Sequence, residues 1–153
     1  MRSIDETDIR ILKIIQKRGR ITNSDLSEEI NLSPSACHRR VSCLENDNII
    51  KNYVARVDPK KVGFSTTVFV EITLNGQTDE VLDKFEEEVK KIPNVLECNL
   101  MAGSSDYLLK VVAEDTDDFA RLHRQFLSRL PGVAKVQSSF SLKTVCKGTV
   151  LPI

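Results

Sequence analysis

Residues 33 to 42 carry hydroxyl, imidazole and guanidinium side chains at a spacing that lets one helix present several of them together. Arginine can donate two hydrogen bonds to guanine, serine and histidine can bond base edges or phosphates, and alanine can contact a thymine methyl. With one asparagine upstream, the candidate DNA-contacting residues are Asn23, Ser33, Ser35, Ala36, His38, Arg39 and Ser42. This chemistry favours recognition of double-stranded DNA. The alternative is a small helical subdomain with a solvated polar face, since helix-turn-helix patterns also arise by chance.

Two short helices joined by a tight turn would position these residues. The first begins at Thr22, whose hydroxyl can accept a hydrogen bond from the amide of Asp25 while that carboxylate reaches back, as in a capping box. Leu26 and Ile30 lie four residues apart and give this helix one buried face. Asn31 then tolerates the left-handed conformation that a sharp turn requires.

The second helix of the pair starts directly after this turn. Ser33 is a good capping residue, and Pro34 fits the first helical position because an amide hydrogen is not needed there. The residues that recur at helical spacing and must point inward are Cys37, Val41 and Leu44. The candidate DNA-contacting residues are therefore left on the open surface of this helix.

A third helix, predicted over Asp5 to Arg18, completes a three-helix head. Gly19 ends it, and its inward stripe consists of Ile9, Ile11, Leu12, Ile14, Ile15 and Gln16. After the three helices, the alternation from Ile49 to Val57 predicts a strand, or wing. Asp58-Pro59 then indicates a hinge near residue 60.

The charge balance gives no strong sign of a nucleic-acid partner. The chain has 153 residues with 22 basic and 22 acidic side chains. Basic minus acidic residues give 11 − 9 = +2 for positions 1–60 and 11 − 13 = −2 for positions 61–153. Each phosphate contact contributes only part of the affinity, so several heads are expected to act together.

Neither the cysteines nor the histidines have the spacing of a metal site. Cys37 and Cys98 are expected to be small buried apolar residues, with no disulfide and no metal. Because no set of residues resembles a catalytic triad or a phosphate loop, we expect no enzyme activity and no cofactor. No apolar run is long enough to span a bilayer and nothing near Met1 resembles a signal peptide, which predicts a cytoplasmic protein without a membrane partner.

The second half of the chain repeats one pattern of strand, helix and strand. Pro93 and Pro131, which precede the closing strands, are 131 − 93 = 38 positions apart. The predicted elements are strand Thr66–Leu74, helix Thr78–Lys91, strand Leu96–Met101, strand Asp106–Ala113, helix Thr116–Leu130 and strand Ala134–Leu142. This order is the βαββαβ arrangement of ferredoxin-like folds, so the predicted fold class is α+β.

Both helices should cover one face of this sheet, because right-handed crossovers put them on the same side. The residues expected to point inward from the helices are Val81, Leu82, Phe85, Val89, Phe119, Leu122, Phe126 and Leu127. The uncovered face is expected to be mixed, and the last strand should offer Ser138, Phe140 and Leu142 there. An uncovered, partly apolar face favours a homodimer formed through this domain, which would place two heads on one duplex.

Motifs in both halves resemble the Lrp/AsnC family of feast/famine transcription regulators. They include Gly19-Arg20-Ile21-Thr22, Leu32-Ser33-Pro34-Ser35-Ala36-Cys37, Arg40-Val41, Val70-Glu71-Ile72-Thr73, the stretch from Ala102 to Lys110, and Leu130-Pro131-Gly132-Val133. The resemblance implies a winged helix-turn-helix domain at 4–65, a domain of the regulation-of-amino-acid-metabolism type at 66–147 and a tail at 148–153. It also implies dimers that assemble further, to octamers or larger discs, and an amino-acid effector bound between neighbouring dimers.

By this resemblance, the effector-binding residues are expected at one turn and are Gly103, Ser104, Ser105, Asp106 and Tyr107. Gly103 lets the backbone turn tightly and leaves amides open to a carboxylate, while Asp106 can pair with an α-ammonium group. Ser104 departs from the family pattern, which commonly has an acidic residue at this position. The alternative is a plain loop between two antiparallel strands, in which Asp106 caps backbone amides.

The sequence as a whole therefore predicts a sequence-specific, DNA-binding transcription regulator whose assembly or DNA affinity responds to an amino acid. One alternative stays open, namely an effector-sensing ferredoxin-like oligomer that does not read DNA directly.

Overall fold

The computed structural model describes residues 3–153, and these form two compact units. The first unit extends to Arg56 and includes Cys146–Ile153, and the second unit is Val57–Val145. Met1 and Arg2 lie outside the described residues. The expectation that nothing near Met1 resembles a signal peptide concerns this part of the chain. No helix in the described range is both long and apolar enough to cross a membrane.

Three helices form the first unit, as the sequence predicts. They are α1 (Glu6–Lys17), α2 (Asn23–Ile30) and α3 (Pro34–Asn46). Each starts with a side chain that accepts an amide hydrogen bond: Asp5 from Asp8, Thr22 from Asp25 and Ser33 from Ala36. These caps satisfy amides that have no partner within the helix, so the helix starts follow from the local sequence. The reciprocal capping box, predicted at Thr22, is formed at Asp5.

The core of the first unit lies where the three helices meet. Its buried apolar residues are Ile11, Leu12, Ile15, Leu26, Ile30, Cys37 and Leu44. The turn between α2 and α3 has the expected conformation, because Asn31 adopts a left-handed φ of 57° at the end of α2. The predicted inward faces of all three helices are thus the faces that pack together.

The segment after α3 is not a strand, although the alternation from Ile49 to Val57 predicted one. Residues 51–58 have no regular strand structure. The amides of Ile49 and Ile50 both donate to the carbonyl of Leu44, at 2.9 and 3.0 Å, so these residues close the end of α3. A strand needs a neighbouring strand to satisfy its amides and carbonyls, and the described part of this unit contains none.

The second unit is a four-stranded sheet with two helices. Its elements are β1 (Thr66–Leu74), α4 (Asp79–Val89), β2 (Val95–Leu100), β3 (Tyr107–Ala113), α5 (Thr116–Gln125) and β4 (Val133–Phe140), with 3₁₀ turns at Lys60–Val62 and Leu127–Arg129. The strand order is β2-β3-β1-β4, and every pair is antiparallel. The predicted βαββαβ ferredoxin-like arrangement and α+β class are therefore confirmed.

One face of the sheet packs against both helices. In β1 the alternate residues Val68, Val70 and Ile72 are buried, and they share a core with Phe85 of α4 and Phe119 of α5. The residues between them point to the opposite face. The period of two in this strand thus separates a covered face from an open one.

The apolar residues of β4 point toward the helices. In the antiparallel ladder Ser138 pairs with Val70 and Phe140 pairs with Val68. Directly paired residues lie on the same face, so Ser138 and Phe140 share the buried face of β1. The ring of Phe140 lies 5.3 Å from the ring of Phe119 in an edge-to-face contact. The expectation that Ser138 and Phe140 lie on the uncovered face was therefore wrong. Strand register fixes the face, and an isolated strand sequence does not reveal its register.

Phe126, Cys98 and Leu142 are exposed apolar side chains, and for the first two the sequence predicted burial. The helix α5 ends at Gln125, and Phe126 adopts a non-helical φ of −123°, so that Phe126 is exposed while Leu127 points inward. Cys98 is exposed because β2 is an edge strand. Leu142 lies beyond the end of β4 and is fully exposed. Helix ends and sheet edges are set by tertiary context, which periodicity does not capture.

Gly132, in the turn before β4, cannot carry a side chain without strain. Its φ is +74°, and a Cβ atom there would lie 3.0 Å from Cγ1 of Val81. Gly132→Ala should lower the free energy of unfolding by roughly 1–2 kcal/mol from the left-handed conformation alone. Urea unfolding measures the change. Gly103→Ala is the control, since no atom lies within 4 Å of its Cβ position, and equal stability of the two variants would contradict the prediction.

Candidate DNA interface and effector site

The start of α3 is fixed by the serines that precede and open it. Ser33 accepts a hydrogen bond from the amide of Ala36 at 3.3 Å, and its hydroxyl lies 3.2 Å from the hydroxyl of Ser35. Pro34 occupies the first helical position. The first turn of α3 is therefore held by local hydrogen bonds, and its serine side chains remain at the surface.

The predicted DNA-contacting residues of α3 lie on the side opposite its buried residues. Successive residues are about 100° apart around a helix, so Ser35, Arg39 and Ser42 all fall within roughly 40° of the direction opposite Cys37. Ser35 and Arg39 are exposed, and Ser42 is half-buried. His38 is exposed on one flank of this strip, and Ala36 is half-buried on the other flank. The structure thus places five of the seven predicted residues along one surface of α3.

Asn23, the first residue of α2, is next to the start of α3. Its side-chain amide donates a hydrogen bond to the carbonyl of Pro34 at 2.9 Å. This bond fixes the start of α2 against the start of α3, so Asn23 has a structural role that sequence analysis did not identify. The side-chain carbonyl of an asparagine accepts hydrogen bonds independently of its amide group.

An ion-pair cluster behind α3 is not apparent from the sequence. Nη1 of Arg40 lies 2.8 Å from Oδ2 of Asp5 and 2.8 Å from Oδ1 of Asp8. The hydrogen bonds that Arg40 donates to Asp5 and Asp8 raise the pKa of Arg40 above its ordinary value. Asp8 is completely buried. The sequence contains one sign of this cluster: Asp5 and Asp8 have the spacing of a capping box, which holds two carboxylates close together at the start of α1.

The predicted effector turn connects β2 and β3. The amide of Met101 donates to the carbonyl of Asp106 at 2.8 Å, and the amide of Asp106 donates to the carbonyl of Ile72 at 2.9 Å. Ser104 is exposed, and Ser105 is half-buried. Among the described residues, the backbone amides of residues 103–105 have no intramolecular acceptor. These amides are available to an anionic group.

Asp106 is built into the fold. Its Oδ2 accepts the amide of Leu74 at 2.7 Å, and its Oδ1 accepts the side-chain amide of Gln77 at 2.6 Å. Only 8 % of the residue is exposed. This is the backbone-capping role that the plain-loop alternative described. A carboxylate has about four acceptor positions, so an additional hydrogen bond to a ligand is compatible with these two contacts.

Gly103 does not use the conformational freedom that the sequence analysis assigned to it. Positive φ angles among the described glycines occur at Gly63 and Gly132, and Gly103 has none. A Cβ atom at Gly103 would meet no atom within 4 Å. Glycine at this position therefore leaves the turn surface uncovered, and the turn itself does not require it.

Tyr107 points into the core of the second unit. Its hydroxyl donates to Oε1 of Glu86 at 2.9 Å, and its ring centroid lies 4.5 Å from that of Phe85. Burial, together with the hydrogen bond to Glu86, raises the pKa of Tyr107. Tyr107 also lines a groove of about 360 Å³ between α4 and β2, with Lys90 and Leu100 among the other lining residues. The other four predicted effector residues do not line this groove.

Cys98, which lies beside this groove, has a thiol that stays protonated near neutral pH. Although the residue as a whole is exposed, its thiol lines the groove, and this partial burial, with a smaller contribution from Glu86, raises its pKa to about 11. The four cysteines are unpaired. Within residues 3–153, no cluster of three or more His, Cys, Asp and Glu residues is arranged to hold a metal ion.

Comparison with known proteins identifies one family for both units. The family model described as Lrp/AsnC ligand binding domain matches residues 67–151. The model described as winged helix-turn-helix DNA-binding matches residues 4–51. The chain belongs to the Lrp/AsnC family. The resemblance inferred from the sequence motifs is thereby confirmed.

Relatives of the whole chain support the same assignment. The leucine-responsive regulatory protein of Escherichia coli is 38% identical over 152 residues, covering 99% of this chain and 93% of that protein. The Bkd operon transcriptional regulator of Pseudomonas aeruginosa is 35% identical over 153 residues, covering 100% of each. A transcriptional regulator from Neisseria meningitidis, crystallised with L-methionine, matches with a TM-score of 0.93 and 37% identity over 98% of this chain and 97% of that chain.

This Lrp/AsnC chain is a transcription regulator with a helix-turn-helix DNA-binding domain and an amino-acid-binding domain. The first unit holds the exposed side of α3, and the second holds the turn at residues 103–107. The two predicted functions therefore belong to separate units of the chain.

The contacts of Asp106 predict the cost of removing its charge. Asp106→Asn replaces one of two acceptor oxygens by a donor, so either the amide of Leu74 or Gln77 loses its partner. We expect the free energy of unfolding to fall by about 1–3 kcal/mol, the range for a buried hydrogen bond left unmade. Urea unfolding of this variant, with the exposed Asp83→Asn as control, makes the measurement. A loss no greater than that of the control would show that the carboxylate is not structural.

Proposed function

We propose that α3 enters the major groove of duplex DNA and reads base edges through its exposed side. The proposed contacts are Asn23, Ser33, Ser35, Ala36, His38, Arg39 and Ser42. The observation that carries the proposal is the alignment of Ser35, Arg39 and Ser42 opposite the buried residues of α3. Arginine is suited to guanine and the hydroxyls are suited to base edges or phosphates, so this strip has the chemistry of direct readout.

We also propose that the protein binds DNA as a homodimer, and as a higher oligomer such as an octamer. A single head offers few phosphate contacts, and a chain of zero net charge at neutral pH has no general attraction for DNA. Two heads held at a fixed separation bind two half-sites together. The uncovered sheet face, where Phe69 is 39 % exposed, is the proposed dimer surface. We assign the protein to the cytoplasm, because bacterial and archaeal DNA is found there, and we propose no enzyme activity for it.

The proposed effector is an amino acid, bound at the turn of Gly103, Ser104, Ser105, Asp106 and Tyr107. The open amides of residues 103–105 are suited to its carboxylate, and the remaining acceptor positions of Asp106 are suited to its ammonium group. The related Neisseria meningitidis regulator was crystallised with L-methionine, which makes methionine the first candidate. At position 104 this chain has a serine, where an acidic side chain is common in the family. We propose that ligand binding shifts the equilibrium between assemblies. This requires that the assemblies bind the ligand with different affinities.

Substitution of Arg39 tests the DNA proposal. Arg39→Gln should weaken binding to a duplex selected by the wild-type protein by roughly 10- to 100-fold, the cost of losing one base contact, and should relax the preference at one base position. Fluorescence anisotropy at a fixed salt concentration measures the affinity. Arg124→Gln, an equally exposed arginine on α5 in the second unit, is the matched control. If Arg39→Gln binds like the wild type, α3 is not the helix that reads DNA.

A thermal-shift screen of the twenty amino acids tests the effector proposal. A ligand at 100 times its dissociation constant stabilises the folded state by about 2.7 kcal/mol, so the melting temperature should rise for the effector. Gly103→Val should remove this response without lowering the melting temperature of the free protein, because its Cβ meets no atom and its side chain would cover the amides. Gly19→Val, at an equally open position in the first unit, should leave the response intact. A full response in Gly103→Val would place the ligand elsewhere.

A further inference from the structure

We propose that Arg40 is a positioning residue for DNA readout, which holds α3 at the rotation about its own axis that presents Arg39 outward. It acts through its ion pairs with Asp5 and Asp8. This inference rests on the proposed function of α3, and it concerns a residue that does not itself contact DNA.

The location of Arg40 on α3 supports this role. Arg40 is three residues after Cys37 and four before Leu44, so it lies on the packed side of the helix. Its side chain is 26% exposed, and that of Asp8 is 1% exposed. The guanidinium therefore points toward the start of α1, while the neighbouring Arg39 points to solvent.

The chemistry of the cluster makes the contact directional. One nitrogen of Arg40 bonds both Asp5 and Asp8, at 2.8 Å each. Asp8 also donates its amide to Oδ1 of Asp5 at 2.9 Å, so the two carboxylates are held by the capping box of α1. A buried carboxylate requires a nearby cation, and charge-assisted hydrogen bonds have narrow geometry. Movement of Arg40 away from this position would break both of its ion pairs, including the one to the buried Asp8.

The apolar contacts of α3 do not provide the same restraint. Within α3, the buried apolar residues are Cys37 and Leu44, and Val41 is only half-buried. Hydrophobic contacts are non-directional, so this narrow strip of side chains restrains the rotation of the helix less sharply than hydrogen bonds of defined geometry do. A change of only one residue position around the helix corresponds to about 100°, which would turn Arg39 away from a groove. The Arg40 cluster supplies a directional contact near the middle of α3, in addition to the hydrogen bond between Asn23 and Pro34 at its start.

The test separates positioning from DNA contact by using two duplexes and a salt titration. One duplex is selected from a random library by the wild-type protein, and the other is a scrambled duplex of the same composition. Arg40→Gln should lower affinity for the selected duplex by about tenfold or more and leave affinity for the scrambled duplex within about twofold. The slope of log affinity against log salt on the scrambled duplex should be unchanged, because no phosphate contact is lost.

Two further variants keep the test decisive if Arg40→Gln fails to fold. Asp5→Asn keeps a good helix cap and removes one of the two carboxylates, so it should give a smaller loss of the same kind. The double variant Asp8→Asn with Arg40→Gln removes the buried charge together with its partner, and it should fold with the loss of specificity retained. Circular dichroism and the melting temperature confirm that each variant compared is folded at the assay temperature.

Two results would overturn the inference. A salt slope that falls in magnitude by about 0.9 in Arg40→Gln, or in the folded double variant, would mean that Arg40 contacts a phosphate. Unchanged discrimination between the two duplexes in the folded double variant would mean that the cluster serves stability alone. The proposed function is tested separately by Arg39→Gln. If Arg39→Gln weakens binding and the Arg40 variants do not, only the positioning role fails.

Discussion

The burial of one side of α3 determines what the first unit can do. Cys37 and Leu44 pack against α1 and α2, and the regular geometry of the helix then fixes which residues face away. The hydrophobic effect provides the driving force for this packing but little directional control. The cap at Ser33, the hydrogen bond from Asn23 to Pro34 and the ion pairs of Arg40 are directional contacts. A helix that reads DNA needs both kinds of contact, because its side chains must be presented at a defined angle.

In the second unit the two faces of β1 have different roles. Val68 and Val70 lie under the helices, whereas the neighbouring Phe69 is partly exposed on the other face. That other face also carries charge, since Lys110 forms an ion pair with Glu97 across β3 and β2. A surface of mixed polarity resembles interfaces that form and dissociate more than it resembles a permanent core. This composition is compatible with the proposed equilibrium between assemblies.

Most of the fold follows from patterns of period 3.6 and period 2, and the failures share a cause. The caps at Thr22 and Ser33 and the turn at Asn31 depend on neighbours close in sequence, and each was predicted. The expected strand at residues 49–57 failed because it lacks a partner strand in the described unit. Phe140 was placed on the wrong face because the register of β4 depends on its pairing with β1. The domain limits of 4–65, 66–147 and 148–153 stay predictions.

The buried carboxylates show most clearly what sequence patterns do not contain. Asp8 bonds Arg40, 40 − 8 = 32 positions away, and Asp106 bonds the amide of Leu74, 106 − 74 = 32 positions away. On the sequence alone each aspartate looks like a surface residue at a helix start or a turn, because its distant partner is not visible. A buried carboxylate costs free energy unless it is paired. Each of these contacts therefore constrains the backbone of the aspartate and the backbone of its distant partner. The first constraint lies behind the proposed DNA surface and the second lies beneath the proposed effector turn. The same buried contacts that stabilise the fold can therefore set the geometry of both proposed sites.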